Sequence, residues 1–167
     1  MGNRAIELVS ESPGVNQIWL WRNVVVVTWK GKATAEVARK LGPLSREILP
    51  RTRAPKLSYI HVVPNNLVMP DADTRDVLLE LSREHVHETA CVAAIIEGGG
   101  FWASAIRGFI TGIRVLAPRE LNLRMHKVVA ELLPWFPEEH ARLTGVELDP
   151  EELLRQVEHA RTGEAAL

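Results

Sequence analysis

A chain of 167 residues suits one folded domain with a small appendage, and 46% apolar with 25% charged residues is ordinary globular composition, which excludes a disordered chain. A net charge of −1, with no basic run denser than "RTRAPK" at 51–56, argues against a nucleic-acid partner. The single cysteine, Cys91, excludes an internal disulfide and fits a reducing compartment. The opening "MGNRAIELVSES" has no signal-peptide core, and Ala5, Ile6 and Glu7 after Gly2 fit a myristoylation signal poorly. The expected location is the bacterial cytoplasm.

In chain order, "AIELVS" and "NQIWLWRNVVVVTWKG" predict strands, with a hairpin turn at Arg22-Asn23. The continuous run Val24 to Val27 predicts a strand buried on both faces. Thr34 then caps a helix with Glu36 in its first turn, and Val37, Leu41, Leu44 and Ile48 form its buried stripe. Gly42-Pro43 predicts a kink in it. "KLSYIHVV" predicts a strand closed by Pro64. Asp73 can cap the next helix, whose inner face carries Val77, Leu78, Leu81 and His85.

"CVAAIIE" predicts a further buried strand, "GGG" a turn, and "FWASAIRGFITGIRVL" a helix. "RELNLRMHK" predicts another strand, and "VVAELLPWF" a helix ended by Pro134 and Pro137. Asp149-Pro150-Glu151-Glu152 starts a last helix, with Leu153, Leu154 and Val157 apolar. Strands alternating with helices predict an α/β domain with a mixed, mostly parallel sheet of about five strands. The expected organisation is a domain over 1–136 and a helical C-terminal extension over 137–167.

Four stretches, "VVVVTWKGKATAEVARKL", "KLSYIHVV", "CVAAIIEGGGFWASAIRGFITGI" and "NLRMHKVVAELLPWF", together resemble the STAS, or SpoIIAA-like, domain family. The likeness is to its divergent, largely uncharacterised bacterial members, with Arg107-Gly108 and Trp135 at matching places, and it spans roughly 16–136. It implies a STAS-like fold and a non-enzymatic regulatory role through protein–protein interaction in signalling. Some family members bind nucleotides or lipids. Phosphorylation of a hydroxyl at the front of the helix after the third strand is the family's switch, and here that hydroxyl is Thr74. The usual Asp-Ser pair is absent, which leaves helix capping by Asp71 and Asp73 as the plain reading. The partner-binding face implied is Asn65, Asn66, Leu67, Met69, Asp71, Asp73 and Thr74, with Leu67 and Met69 as apolar anchors.

Other motifs are weaker. "EGGGFWAS" lacks the residues of a Walker loop or a dinucleotide fingerprint. His85 with Glu88 has i, i+3 spacing but no second ligand cluster, so no metal is expected. Cys91 begins an apolar strand, where a thiol is inert. No catalytic residue and no cofactor are expected. The helix 101–116 carries a narrow polar stripe of Ser104, Arg107, Thr111 and Arg114, and is otherwise apolar or glycine. Two arginines make it too charged to span a membrane, so it needs cover on more than one side. The C-terminal extension is the plain candidate for that cover. The alternative is a dimer interface or a small apolar ligand or lipid seated against Phe101, Trp102, Gly108, Phe109 and Gly112.

Overall fold

Alternation of large apolar side chains along the strands dictates a sheet that must be covered on both faces, and the chain supplies the two covers from different parts of its length. The computed structural model describes residues 5–65 and 67–163. Six strands lie side by side in chain order: β1 (Glu7–Ser12), β2 (Asn16–Trp21), β3 (Val24–Trp29), β4 (Leu57–Val63), β5 (Thr89–Ile96) and β6 (Leu123–His126). The first three pair antiparallel, and β4, β5 and β6 then add in parallel. The sixth strand arises because the Arg22-Asn23 turn splits its stretch into two full strands. In that turn Arg22, not Asn23, takes the left-handed conformation, at φ 54°.

Six α-helices lie among the described residues: α1 (Ala35–Arg39), α2 (Leu41–Thr52), α3 (Ala72–His85), α4 (Gly100–Leu116), α5 (Phe136–Thr144) and α6 (Pro150–Thr162). The Thr34 hydroxyl accepts from the Val37 amide at 3.2 Å, as its capping role requires. The expected kink at Gly42-Pro43 falls one turn earlier, at Lys40. Pro43 then sits in the first turn of α2, where its missing N–H leaves no bond unmade. Asp71 caps α3, while Asp73, the expected cap, lies in the first turn. Only a 3₁₀ turn forms over Val129–Leu132, and Pro137 opens α5 instead of ending a helix. A proline fits either role, because its fixed φ suits the first helical turn. Among the described residues no helix is long and apolar enough to cross a membrane.

Strand order decides which face each helix covers. Parallel strands added one after another by right-handed crossovers put every crossover on the same face. Thus α1 and α2, then α3, then α4 share one side of the sheet. There Ile18, Leu20, Val25, Val27 and Trp29 meet Val37, Leu41 and Ile48. The opposite side would be bare, and α5 and α6 close it. On that side Trp19, Trp21, Val26, Ile60, Val62 and Ile95 pack with Phe136, Leu153 and Val157. Fully burying each such side chain contributes about 1.5–3 kcal/mol.

Candidate functional site

The α5/α6 face is filled, and one chain of its buried polar groups is paired, while the indole N–H groups of Trp19 and Trp21 are buried without a partner among the described residues. Asn23, Ser58 and His140 are all within 1% of complete burial. The Cys91 amide donates to Ser58 Oγ at 3.3 Å, and Ser58 Oγ lies 2.7 Å from His140 Nδ1. On the other side His140 Nε2 is 3.0 Å from Asn23 Oδ1, and the Asn23 amide donates to the Lys56 carbonyl at 3.0 Å. One proton arrangement satisfies every member: a neutral His140 that donates from Nε2 and accepts the Ser58 hydroxyl proton at Nδ1. Burial pushes the His140 imidazole down to about 4, consistent with that neutral form. Although serine, histidine and asparagine are assembled, no substrate can reach them. The group fastens α5 to the sheet. Burial likewise raises the Cys91 thiol to about 11, in line with the inert cysteine expected.

The crossover face is different: it holds a half-open cavity of about 210 Å³. Its floor is the sheet, with Trp29 of β3, Tyr59, His61 and Val63 of β4, and Val92 and Ala94 of β5. Small side chains on β5 make the room, since Ala94 lies directly beside His61 in the parallel register. Leu78, Leu81 and His85 of α3 form one wall, and Ile106, Phe109, Ile110 and Ile113 of α4 another. Val68, 63% exposed, stands at the rim beside Leu67. No Asp, Glu, Lys or Arg side chain lines this space among the described residues. Its polar groups are mostly engaged: Tyr59 donates to Ser45 at 2.8 Å, and Ser45 to the Leu41 carbonyl at 2.7 Å.

The residues singled out in 64–75 do not form one exposed face. Asn65 is exposed and packs its side chain against Gly98, where an added Cβ would stand 2.6 Å from it. Asn66 lies outside the described residues. Leu67 turns to the cavity, and its carbonyl accepts from the Trp102 indole of α4. Met69 is half-buried against Ile96, Ala103 and Ile106. Asp71 accepts from the Thr74 amide at 2.9 Å and from the Thr74 hydroxyl at 2.7 Å, and it pairs with Lys32 at 3.5 Å. These bonds from Thr74, helped by Lys32, hold the Asp71 carboxyl below its usual range. Asp73 is exposed. Thr74 is 0% exposed, and its hydroxyl also reaches the Ala33 carbonyl at 3.3 Å. In this conformation that hydroxyl is buried and bonded within the helix start.

Along α4 the expected cover by the C-terminal extension does not occur, because α5 and α6 lie across the sheet from it. Only Ala103, Ile106 and Ile113 are buried, while Phe101 is 91% exposed. Trp102 and Phe109 are half-buried, and Gly108 and Gly112 face open space. His85 bonds Glu88 at 3.3 Å through Nδ1, and no group of three or more ligating side chains exists among the described residues. His61, a lone histidine in an apolar strand, and His140, in the polar stretch Glu138-Glu139-His140-Ala141-Arg142, carried no motif in the sequence. Trp29 and Ser58, their partners, are distant in sequence and gave no spacing signal.

No family profile and no curated protein matches the chain. Among solved structures it is similar to an uncharacterised protein of the DUF3478 family from Shewanella loihica PV-4, described as having a SpoIIAA-like fold. The two share 17% identity and a TM-score of 0.49, over 81% of this chain and 98% of that one.

Proposed function

We propose that the protein is a non-enzymatic binding module that takes a small apolar ligand in the cavity between the sheet, α3 and α4. The observation that supports this reading is an uncharged cavity of about 210 Å³ in a molecule whose other face is filled. Interiors are normally close-packed, and wall atoms facing a void lose contacts that an apolar guest restores. A dry cavity of roughly 150 Å³ already accepts a benzene-sized guest. The test is native mass spectrometry on protein purified gently from its host, alongside the floor variant Val92→Phe. A small bound mass in the wild type that the variant lacks, with its melting curve retained, supports the reading. A bare wild-type chain that no apolar probe perturbs overturns it.

A protein partner at the 64–71 loop is the second reading, favoured by Val68 at 63% exposure. Met69→Asp cannot test it, since Met69 packs into the α4 cluster. Val68→Asp can: loss of a co-purifying protein with unchanged stability supports that reading, and its retention removes it.

A further inference from the structure

Resting on the proposed ligand cavity, a single polar group decides what chemistry the ligand carries. Tryptophan Nε1–H can only donate, and that of Trp29 reaches His61 Nδ1 at 3.2 Å. Nδ1 must therefore keep its lone pair, and a neutral His61 ring carries its proton on Nε2. The two rings lie within 13° of parallel, and turning the imidazole over would set Cδ2–H in place of Nδ1 and lose the bond from Trp29. Nε2 has no partner among the described residues, yet it is not sealed away as the buried His85 Nε2 is. His61 lines the floor of the cavity, which leaves Nε2–H as the ring hydrogen available to a guest. It is a fixed donor in an otherwise apolar floor.

We infer that the cavity selects an uncharged small molecule bearing an acceptor oxygen, a ketone, ester or amide carbonyl, hydrogen-bonded to His61 Nε2–H. A carboxylate is excluded by the walls. With no cation lining the space, an anion would lose its hydration without compensation. Burial holds the His61 imidazole down to about 4, so at neutral pH it offers a hydrogen bond and no charge. An alkane of the same shape would fit but would leave the donor unpaired, the situation in which sites built for a hydrogen bond discriminate best.

The experiment compares three probes of one shape, acetophenone, benzoate and isopropylbenzene, binding to the wild type and to His61→Phe. Binding is read from methyl resonances of Ile106, Ile110 and Ile113. In the wild type acetophenone should bind and benzoate should not. His61→Phe should weaken acetophenone about three- to ten-fold relative to isopropylbenzene, the range of one neutral hydrogen bond. Should the variant not fold, the ¹⁵N-resolved imidazole spectrum of the wild type decides. Acetophenone should shift the Nε2–H proton of His61, and isopropylbenzene should leave it in place. Benzoate binding as tightly as acetophenone, or acetophenone bound without that shift, overturns the inference while the cavity reading stands. If none of the three probes moves the methyl resonances, the cavity reading itself falls.

Discussion

The two faces of one sheet are finished in opposite ways. Across the α5/α6 face the large side chains Trp21, Phe136, Leu132 and Leu153 are buried to 2% exposure or less. Three of its polar side chains, Ser58, His140 and Asn23, are tied in a chain that runs from the Cys91 amide to the Lys56 carbonyl. Across the crossover face α4 meets its neighbours through three buried residues and leaves Phe101 and Val115 in solvent. The difference teaches that burial, not helix quality, separates a load of structure from a place for a guest. Each face mixes helices capped by a side chain, α1 and α3 on one and α6 on the other, with helices that lack such a cap, α2 and α4 on one and α5 on the other.

The comparison predicts unequal responses to equivalent truncations. Phe136→Ala on the filled face should cost about 3–5 kcal/mol, the usual price of removing a buried phenylalanine. Ile110→Ala on the crossover face should cost less than about 1.5 kcal/mol, because its side chain is half-exposed beside existing space. Urea denaturation of the two variants checks this. Equal losses would mean that the crossover face is as tightly packed as its opposite.

Acid should attack the filled face next. His140 is neutral when folded, with its imidazole at about 4 against 6.5 when free, so the unfolded chain binds the extra proton between those values. Its contribution is therefore complete above pH 6.5 and is lost as pH falls towards 4, by up to about 3 kcal/mol. Denaturation curves over that interval should show the slope, and His140→Gln should flatten it. His61 shifts in the same direction, so His61→Phe should flatten a separate share.

Capping should not distinguish the faces. Asp71 accepts the Thr74 amide at the start of α3, and Asp149 accepts the Glu152 amide at the start of α6. Asp71→Ala and Asp149→Ala should each cost about 1 kcal/mol in thermal denaturation. A much larger loss at one of them would place part of the difference in the helix ends. Smallest of all, Phe101→Ser should change stability by less than about 0.5 kcal/mol, since the ring is 91% exposed.

Element order was legible because strand and helix periods differ, and because Thr34 and Asp149 are unambiguous starts. The cover of α4 was not legible. An apolar helix announces that it needs neighbours, but strand order alone says which side of the sheet those neighbours occupy. Pro137 misled because a proline marks a helix start as readily as a stop. The loop 64–75 was correctly marked as a turn into a helix, yet its hydroxyl and the two apolar residues singled out, Leu67 and Met69, turned inward while Val68 stayed exposed. Thr74 completes a cap, and Leu67 joins the cavity. His61 became informative only once β3 and β4 brought Trp29 beside it.

The sequential strand order also makes the faces unequal in chain entropy. Each pair of adjacent parallel strands is joined by the helices that cover it, so the crossover face is assembled from neighbours along the chain. The filled face joins the two ends: the Ile6 amide donates to the Gln156 side chain at 2.9 Å, and Trp19 meets His159 edge-on. Closing so long a loop costs more conformational freedom than closing a single crossover. Most of the chain is therefore threaded like a running stitch, and α6 is the knot that ties its last turn back to its first.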